Sequence, residues 1–136
     1  MSDAQDIGRV SDVMTQNYAL VQGITTVAEA LRLMRDRNVN FLIVDKRTPD
    51  DEYGIVLVAD IAKHVLAASR APDRCNVYEI MAKPVLSVHP DMHIRYCARL
   101  FHNFGISTAP VIDAAGEIRG VVAYDELVLK GLASGI

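Results

Sequence analysis

The sequence lacks the features that mark secreted, membrane-spanning or nucleic-acid-binding proteins. Its 136 residues include no tryptophan and only two cysteines, which are too few for a disulfide framework. Only 23% of the residues are charged and the net charge is -3, so there is no basic stripe to bind a phosphate backbone. No apolar run approaches the roughly 20 residues of a membrane-spanning helix. We therefore expect no nucleic-acid partner and no membrane partner.

The composition instead suits one compact core in a reducing compartment. Hydrophobic residues make up 51% of the chain, which is long enough for one core and too short for two ordinary domains. Residues 1–6 are polar and acidic, unlike the start of a secretory signal. Cys97 lies on the apolar face of a predicted helix, so we interpret it as a reduced core thiol. Together these features predict a cytoplasmic protein.

The strongest feature of the chain is an internal repeat. Asp12-Val13-Met14 is matched 67 positions later by Glu79-Ile80-Met81, and apolar residues keep nearly the same offset through both copies. Such a repeat is one supersecondary unit whose apolar face needs a partner copy, so neither copy should be stable alone. The predicted boundaries are 9–69 for the first repeat, 70–76 for a linker and 77–132 for the second repeat.

The periodicity within each copy predicts the order β-α-β-β-α. Thr26 and Glu29 form a capping box before a helix whose apolar residues recur at three- and four-residue spacing. Short β-branched runs then predict strands. The predicted strands are Leu20–Val21, Phe41–Val44, Gly54–Val58, Leu86–Val88, Ala109–Ile112 and Ile118–Val122. A second helix closes each copy, at Ala59–Ala68 and Tyr124–Leu132.

Several motifs in both copies resemble tandem CBS domains, the module named for cystathionine beta-synthase. They are Ser11-Asp12-Val13-Met14, Tyr78-Glu79-Ile80-Met81, the block Gly105–Asp113, and the spans Gly54–Asp60 and Gly120–Glu126. The resemblance implies a mixed α/β (α+β) fold, a CBS-domain pair in which two β-α-β-β-α repeats are related by a pseudo-twofold axis. It also implies clefts between the repeats that often bind adenine nucleotides or S-adenosylmethionine.

The resemblance places a ribose-binding carboxylate at Asp60 and, in the second copy, at Glu126. Leu57 stands where nucleotide-binding copies usually carry a hydroxyl, and Asp125 adds a charge beside Glu126. Tyr124 could stack on a base or plug the second cleft. The predicted ligand-binding residues are Val21, Asn40, Phe41, Leu57, Asp60, Ser107, Thr108, Tyr124 and Glu126.

Structural roles compete with these assignments. Both carboxylates also suit the N-terminal turn of a helix, where the helix dipole favours negative charge. His89, His93 and His102 do not match a recognised metal-ligand spacing, so we expect no metal site. The sequence has no nucleophile elbow and no phosphate-binding glycine loop, so we expect no enzyme.

The sequence therefore predicts a stand-alone Bateman-type regulatory module. It would need no cofactor, bind AMP, ADP, ATP or S-adenosylmethionine as a regulatory ligand between its repeats, and signal to a separate, unidentified effector protein. The alternative is a structural dimerisation or scaffolding module with closed, ligand-free clefts. Apolar residues on more than one face of the second helices predict a homodimer.

Overall fold

The computed structural model of the protein describes residues 8–136. The acidic residues 1–6, on which the prediction of no secretory signal depends, lie outside the described residues. In chain order, the helices and strands are α1 (Val10–Val13), β1 (Leu20–Val21), α2 (Val27–Arg37), β2 (Phe41–Val44), β3 (Gly54–Leu57), α3 (Val58–Ile61), α4 (Ile94–Phe104), β4 (Thr108–Ile112) and β5 (Ile118–Ala123). Both copies thus combine helices and strands, and the predicted mixed α/β class is confirmed.

The chain divides into two compact units that exchange short segments of sequence. Asn17–Val85 form the first unit, and the described residues up to Gln16 together with Leu86–Ile136 form the second. Residues 10–16, which begin the first sequence repeat, therefore belong to the second unit, and residues 77–85 belong to the first. The boundaries 9–69, 70–76 and 77–132 describe sequence similarity and stay a prediction.

The first unit contains a three-stranded sheet in the order β1-β2-β3. β1 is parallel to β2, and β3 is antiparallel to it. The capping box predicted for α2 is confirmed: the N–H of Glu29 donates to Oγ1 of Thr26 at 3.1 Å, and the N–H of Thr26 donates to Oε1 of Glu29 at 3.1 Å. The helix ends at Arg37, and its C-cap residue Asn38 has a left-handed φ of 55°.

The core of the first unit depends on residues from the end of its chain segment. Val27 and Met34 of α2 pack with strand residues such as Leu42. Cys75 and Val77, which follow α3 by more than ten residues, are fully buried in the same core. The predicted linker, 70–76, thus supplies the buried side chain of Cys75 to the core. It also contains a 3-10 helix at Pro72–Arg74.

The second helix of the first copy begins one residue earlier than predicted, at Val58, and the second helices of both copies contain π-helical turns. Strand β3 ends at Leu57 and not at Val58, which is the first residue of α3, although the N–H of Val58 still donates to the carbonyl of Asn40 at 2.9 Å in the register of the β2–β3 pair. α3 continues as a π-helix at Ala62–Leu66, and the corresponding helix of the second copy is a π-helix at Glu126–Gly131.

The second unit pairs β4 with β5 in an antiparallel hairpin, beneath α4. The predicted strand Leu86–Val88 is wrong in extent, since only Val88 forms a bridge, to Val111. The chain before it is already paired in the first unit, where the N–H of Val85 donates to the carbonyl of Tyr53 at 2.9 Å. Among residues 8–136, no helix is long and apolar enough to cross a membrane.

The methionine of each repeat packs against a glycine. A Cβ on Gly54 would lie 2.9 Å from Sδ of Met81, and a Cβ on Gly120 would lie 3.0 Å from Sδ of Met14. Backbone oxygens lie as close, since these Cβ atoms would be 3.1 Å from the carbonyl oxygen of Ala82 and 2.9 Å from that of Thr15. A side chain at either glycine would therefore force the exchanged segment to shift. These contacts join each exchanged segment to its unit.

Candidate functional site

The two predicted ribose-binding carboxylates occupy equivalent places at the junction of a strand and a helix. Oδ2 of Asp60 accepts a hydrogen bond from the N–H of Leu57 at 2.8 Å. Oε1 of Glu126 accepts one from the N–H of Ala123, also at 2.8 Å. Within residues 8–136 the second oxygen of each carboxylate has no hydrogen-bond partner. Each group therefore closes its own turn and keeps one acceptor for another donor.

Asn40 and Phe41 lie beside Asp60 in the first unit. The carbonyl of Asn40 accepts from Val58, the residue that begins α3, while its side chain is exposed. Phe41 is buried and pairs in register with Leu57. The structure thus brings four of the predicted residues of the first copy to one end of the sheet.

Val21 does not join this group. It is buried and pairs with Val44, which is three residues further along β2 than Phe41. Because β1 runs parallel to β2, Val21 lies at the carboxyl end of β2, whereas α3 begins at its amino end. A rise of about 3.3 Å per residue separates the two ends by roughly 10 Å.

The second unit repeats this arrangement, and Thr108 is buried there. The N–H of Tyr124 donates to the carbonyl of Ser107 at 3.3 Å, and Thr108 is paired with Ala123. The Tyr124 ring meets Phe101 edge to face, with centroids 5.3 Å apart, and is 37% exposed. The Tyr124 ring is therefore held against a core aromatic while part of it stays open to solvent.

Neither group contains a lysine or arginine that could hold a phosphate. Lys83 and Arg119 are basic residues close to these segments in sequence, but both side chains have other partners. Nζ of Lys83 is 2.7 Å from Asp51, and the Arg119 guanidinium is 3.4 Å from Asp113. The two groups are thus equipped to accept hydrogen bonds from hydroxyls and not to neutralise an anion.

Sequence reasoning missed two concave surfaces of the first unit. A cavity of about 490 Å³ lies at the carboxyl ends of β1 and β2, next to Tyr78 and Met81. A shallow groove of about 570 Å³ runs along α3 and its π-helical continuation, between Leu31 and Pro72. Both depend on contacts between distant segments, which periodicity does not reveal. Within residues 8–136, no cluster of His, Cys, Asp and Glu is arranged to hold a metal ion.

Comparison with known proteins agrees with the repeat. A family model described as the CBS domain matches residues 10–67 and again residues 77–131. The chain is 34% identical over 120 residues to a homoserine O-acetyltransferase of Methanosalsum zhilinae, a match that covers 87% of this chain and 23% of that protein. The chain therefore spans about a quarter of the length of that relative.

Two solved structures share the fold. The hexameric CBS-CP12 protein from bloom-forming cyanobacteria is 38% identical, with a TM-score of 0.88 over 91% of this chain and 68% of that chain. A CBS domain pair in complex with 5'-methylthioadenosine and S-adenosyl-L-methionine is 23% identical, with a TM-score of 0.77 over 90% of this chain and 98% of that chain. The predicted resemblance is confirmed, and the chain belongs to the CBS domain family.

Proposed function

We propose that the protein is a regulatory module that binds an adenosine-containing ligand and acts on a separate effector protein. The observation that carries this proposal is the Asp60 carboxylate, because the hydrogen bond from Leu57 fixes Oδ2 while Oδ1 stays available. A carboxylate held in place can accept hydrogen bonds from ribose hydroxyls with little loss of side-chain freedom. The ligands bound by the related CBS pair, 5'-methylthioadenosine and S-adenosyl-L-methionine, support an adenosyl compound.

The charge of the site favours ligands that carry no phosphate. Asn40, Phe41 and Leu57 supply no positive charge to offset Asp60, so a phosphate placed nearby would be repelled. A neutral thioether or a sulfonium ion avoids this repulsion. We therefore expect S-adenosylmethionine or methylthioadenosine to bind more tightly than ATP, and AMP, ADP and ATP to differ little from one another.

A non-catalytic role is part of the proposal. The match to the homoserine O-acetyltransferase covers 23% of that protein, which leaves most of the acyltransferase without a counterpart here. The two cysteines are buried free thiols, which favours a reducing compartment such as the cytoplasm.

A thermal-shift panel tests ligand binding directly. The panel contains adenosine, methylthioadenosine, S-adenosylmethionine, AMP, ADP and ATP, with guanosine and GTP as matched controls. A ligand that binds only the folded protein at 100 times its Kd stabilises it by about 2.7 kcal/mol. We expect adenosyl compounds to raise the melting temperature and guanosine compounds to leave it unchanged. No shift with any adenosyl compound at millimolar concentration would overturn the proposal.

A structural dimerisation module is the second candidate, favoured by the groove along α3. Its floor and edges include Leu31, Val58 and Leu66, and Leu66 is 77% exposed. The second copy carries exposed Leu129 on the corresponding helix and exposed Leu132 directly after it. Exposed apolar side chains in this number favour burial against another molecule. Under either function we propose a homodimer; only the regulatory module also predicts the ligand-dependent shift.

A further inference from the structure

The cavity at the carboxyl ends of β1 and β2 is separate from the proposed adenosine site. Val44 and Gly23 line it, whereas Asp60 lies at the other end of β2. Its volume of about 490 Å³ falls in the range of small-molecule sites, which is roughly 300–1,000 Å³. All residues that line it belong to the first unit.

One side of the cavity is apolar and open to solvent. The Tyr78 side chain is 55% exposed and Ile24 is 76% exposed, although both are large and hydrophobic. Backbone contacts hold this wall, since the N–H of Tyr78 donates to the carbonyl of Gly23 at 3.0 Å. A Cβ on Gly23 would lie 3.3 Å from Cβ of Tyr78, so glycine also leaves space there. The wall offers an aromatic face to a planar apolar group.

The other side of the cavity carries two basic side chains, Arg47 and Lys83. Lys83 is tied to Asp51, whose Oδ2 also accepts from the N–H of Arg47 at 2.9 Å. These donors hold the pKa of Asp51 well below its usual range, so the carboxylate stays charged and fixes the loop. Among residues 8–136, the Arg47 guanidinium has no hydrogen-bond or ion-pair partner. Asp45 is the one acid in the lining, and its Oδ1 already accepts from the N–H of Lys46 at 2.8 Å.

The second copy lacks this chemistry. Its hairpin loop, Ala114–Glu117, is shorter than the loop that carries Arg47 and contains no cation. Ser11 stands in the place of Tyr78, and Gln16 stands in the place of Lys83. The combination of an aromatic wall and an unpaired guanidinium is therefore specific to the first copy, and it is not a consequence of the shared fold.

We propose that this cavity is a second binding site, for a small anion with a planar apolar body. The ring would lie against Tyr78 and Ile24, and the carboxylate, sulfonate or phosphate would receive charge-assisted hydrogen bonds from Arg47. The proposal is independent of Asp60 and of the adenosine ligand.

The test uses the full chain labelled with nitrogen-15 and titrated with 8-anilinonaphthalene-1-sulfonate, an anion of this class. We expect saturable shifts of the Gly23 and Tyr78 amide signals. Tyr78→Ala and Arg47→Gln should each raise the Kd about tenfold. The matched controls Tyr96→Ala and Arg99→Gln change a similarly exposed tyrosine and arginine on α4 and should leave the Kd unchanged.

Three results would overturn the proposal. The first is a set of shifts confined to Val65 and Leu66, which would place the dye in the groove along α3. The second is an unchanged Kd in both Tyr78→Ala and Arg47→Gln. The third is an affinity for neutral N-phenyl-1-naphthylamine equal to that for the sulfonate dye, which would show that the anionic group of the ligand does not contribute to binding. Because the Tyr78 side chain is mostly exposed, its variant should keep the fold, which its amide spectrum will report.

Discussion

The carboxylate of Asp60 accepts a hydrogen bond from the backbone N–H of Leu57, three residues earlier, at 2.8 Å. Glu126 makes the same contact with Ala123 at the same distance, although its side chain is longer by one methylene. Both residues thus have a structural role, and a loss of ligand binding on mutation would not by itself show a ligand contact. Substitutions that retain a hydrogen-bond acceptor at these positions distinguish the structural role from ligand binding.

The first prediction concerns the stability supplied by Asp60. Asp60→Ala leaves the N–H of Leu57 without its acceptor and should lower the free energy of unfolding by about 1 kcal/mol. Asp60→Asn keeps an amide oxygen in the same place and should cost less than half as much. Urea denaturation of both variants measures the difference. Equal losses in the two variants would show that the hydrogen bond does not stabilise the turn.

The second prediction is that the two copies differ in ligand affinity. Asp60→Ala should weaken adenosyl binding by roughly 10- to 100-fold, because a charged acceptor of a ligand hydrogen bond contributes about 1.5–3 kcal/mol. Glu126→Ala should change the affinity little, since Asp125 adds repulsion there and Tyr124 packs on Phe101. Calorimetric titration with adenosine, AMP and ATP compares the variants with the wild type. Equal losses at both positions would contradict the asymmetry.

The sequence predicted the helices and strands of this fold better than the contacts between segments that are distant along the chain. The capping box at Thr26 and the alternation of helices and strands depend on neighbouring residues, and both were predictable. The approach of Met81 to Gly54 joins segments 27 positions apart, and periodicity carries no information about such a contact. The sequence likewise predicts Val21 as a ligand residue but does not reveal that β1 runs parallel to β2, which places Val21 at the other end of β2.

The third prediction follows from the exchanged segments. A fragment of residues 1–70 keeps the first sequence repeat but loses Cys75, Val77 and Ile80 from the core of its unit. A fragment of residues 17–85 has nearly the same length and keeps them. We expect a cooperative thermal transition by circular dichroism for the second fragment and none for the first. A cooperative transition of residues 1–70 at the same temperature would contradict this reasoning.

The fourth prediction concerns assembly through the second helices. Light scattering at micromolar concentration should report twice the chain mass of 14.9 kDa. Leu66→Asp and Leu129→Asp should each yield monomers, because a charge in a buried apolar interface costs several kcal/mol. Phe104→Asp is the matched control. Phe104 is 63% exposed, close to the 68% of Leu129, but it lies on α4, outside the proposed interface, so this change should leave the dimer intact. A monomeric wild type, or a dimer that survives both leucine changes, would exclude this interface.

The last prediction concerns the buried thiols. Burial raises the pKa of Cys97 from its ordinary value of 9.0 to about 11, and burial also raises the pKa of Cys75. Because the thiolate is the reactive form, neither cysteine should react with a disulfide reagent at pH 8 until the protein is unfolded in urea.

The same shift sets the direction of a pH dependence. Above pH 9 the Cys97 thiol ionises in the unfolded chain while it stays protonated in the folded one, so stability falls as the pH rises toward 11. Cys97→Ala removes this contribution and should flatten the curve between those values, whereas lysine and tyrosine titrations affect both proteins equally. Urea denaturation from pH 8 to pH 11 measures both curves. Identical slopes in the two proteins, or rapid thiol modification without urea, would show that Cys97 is not held as a neutral core thiol.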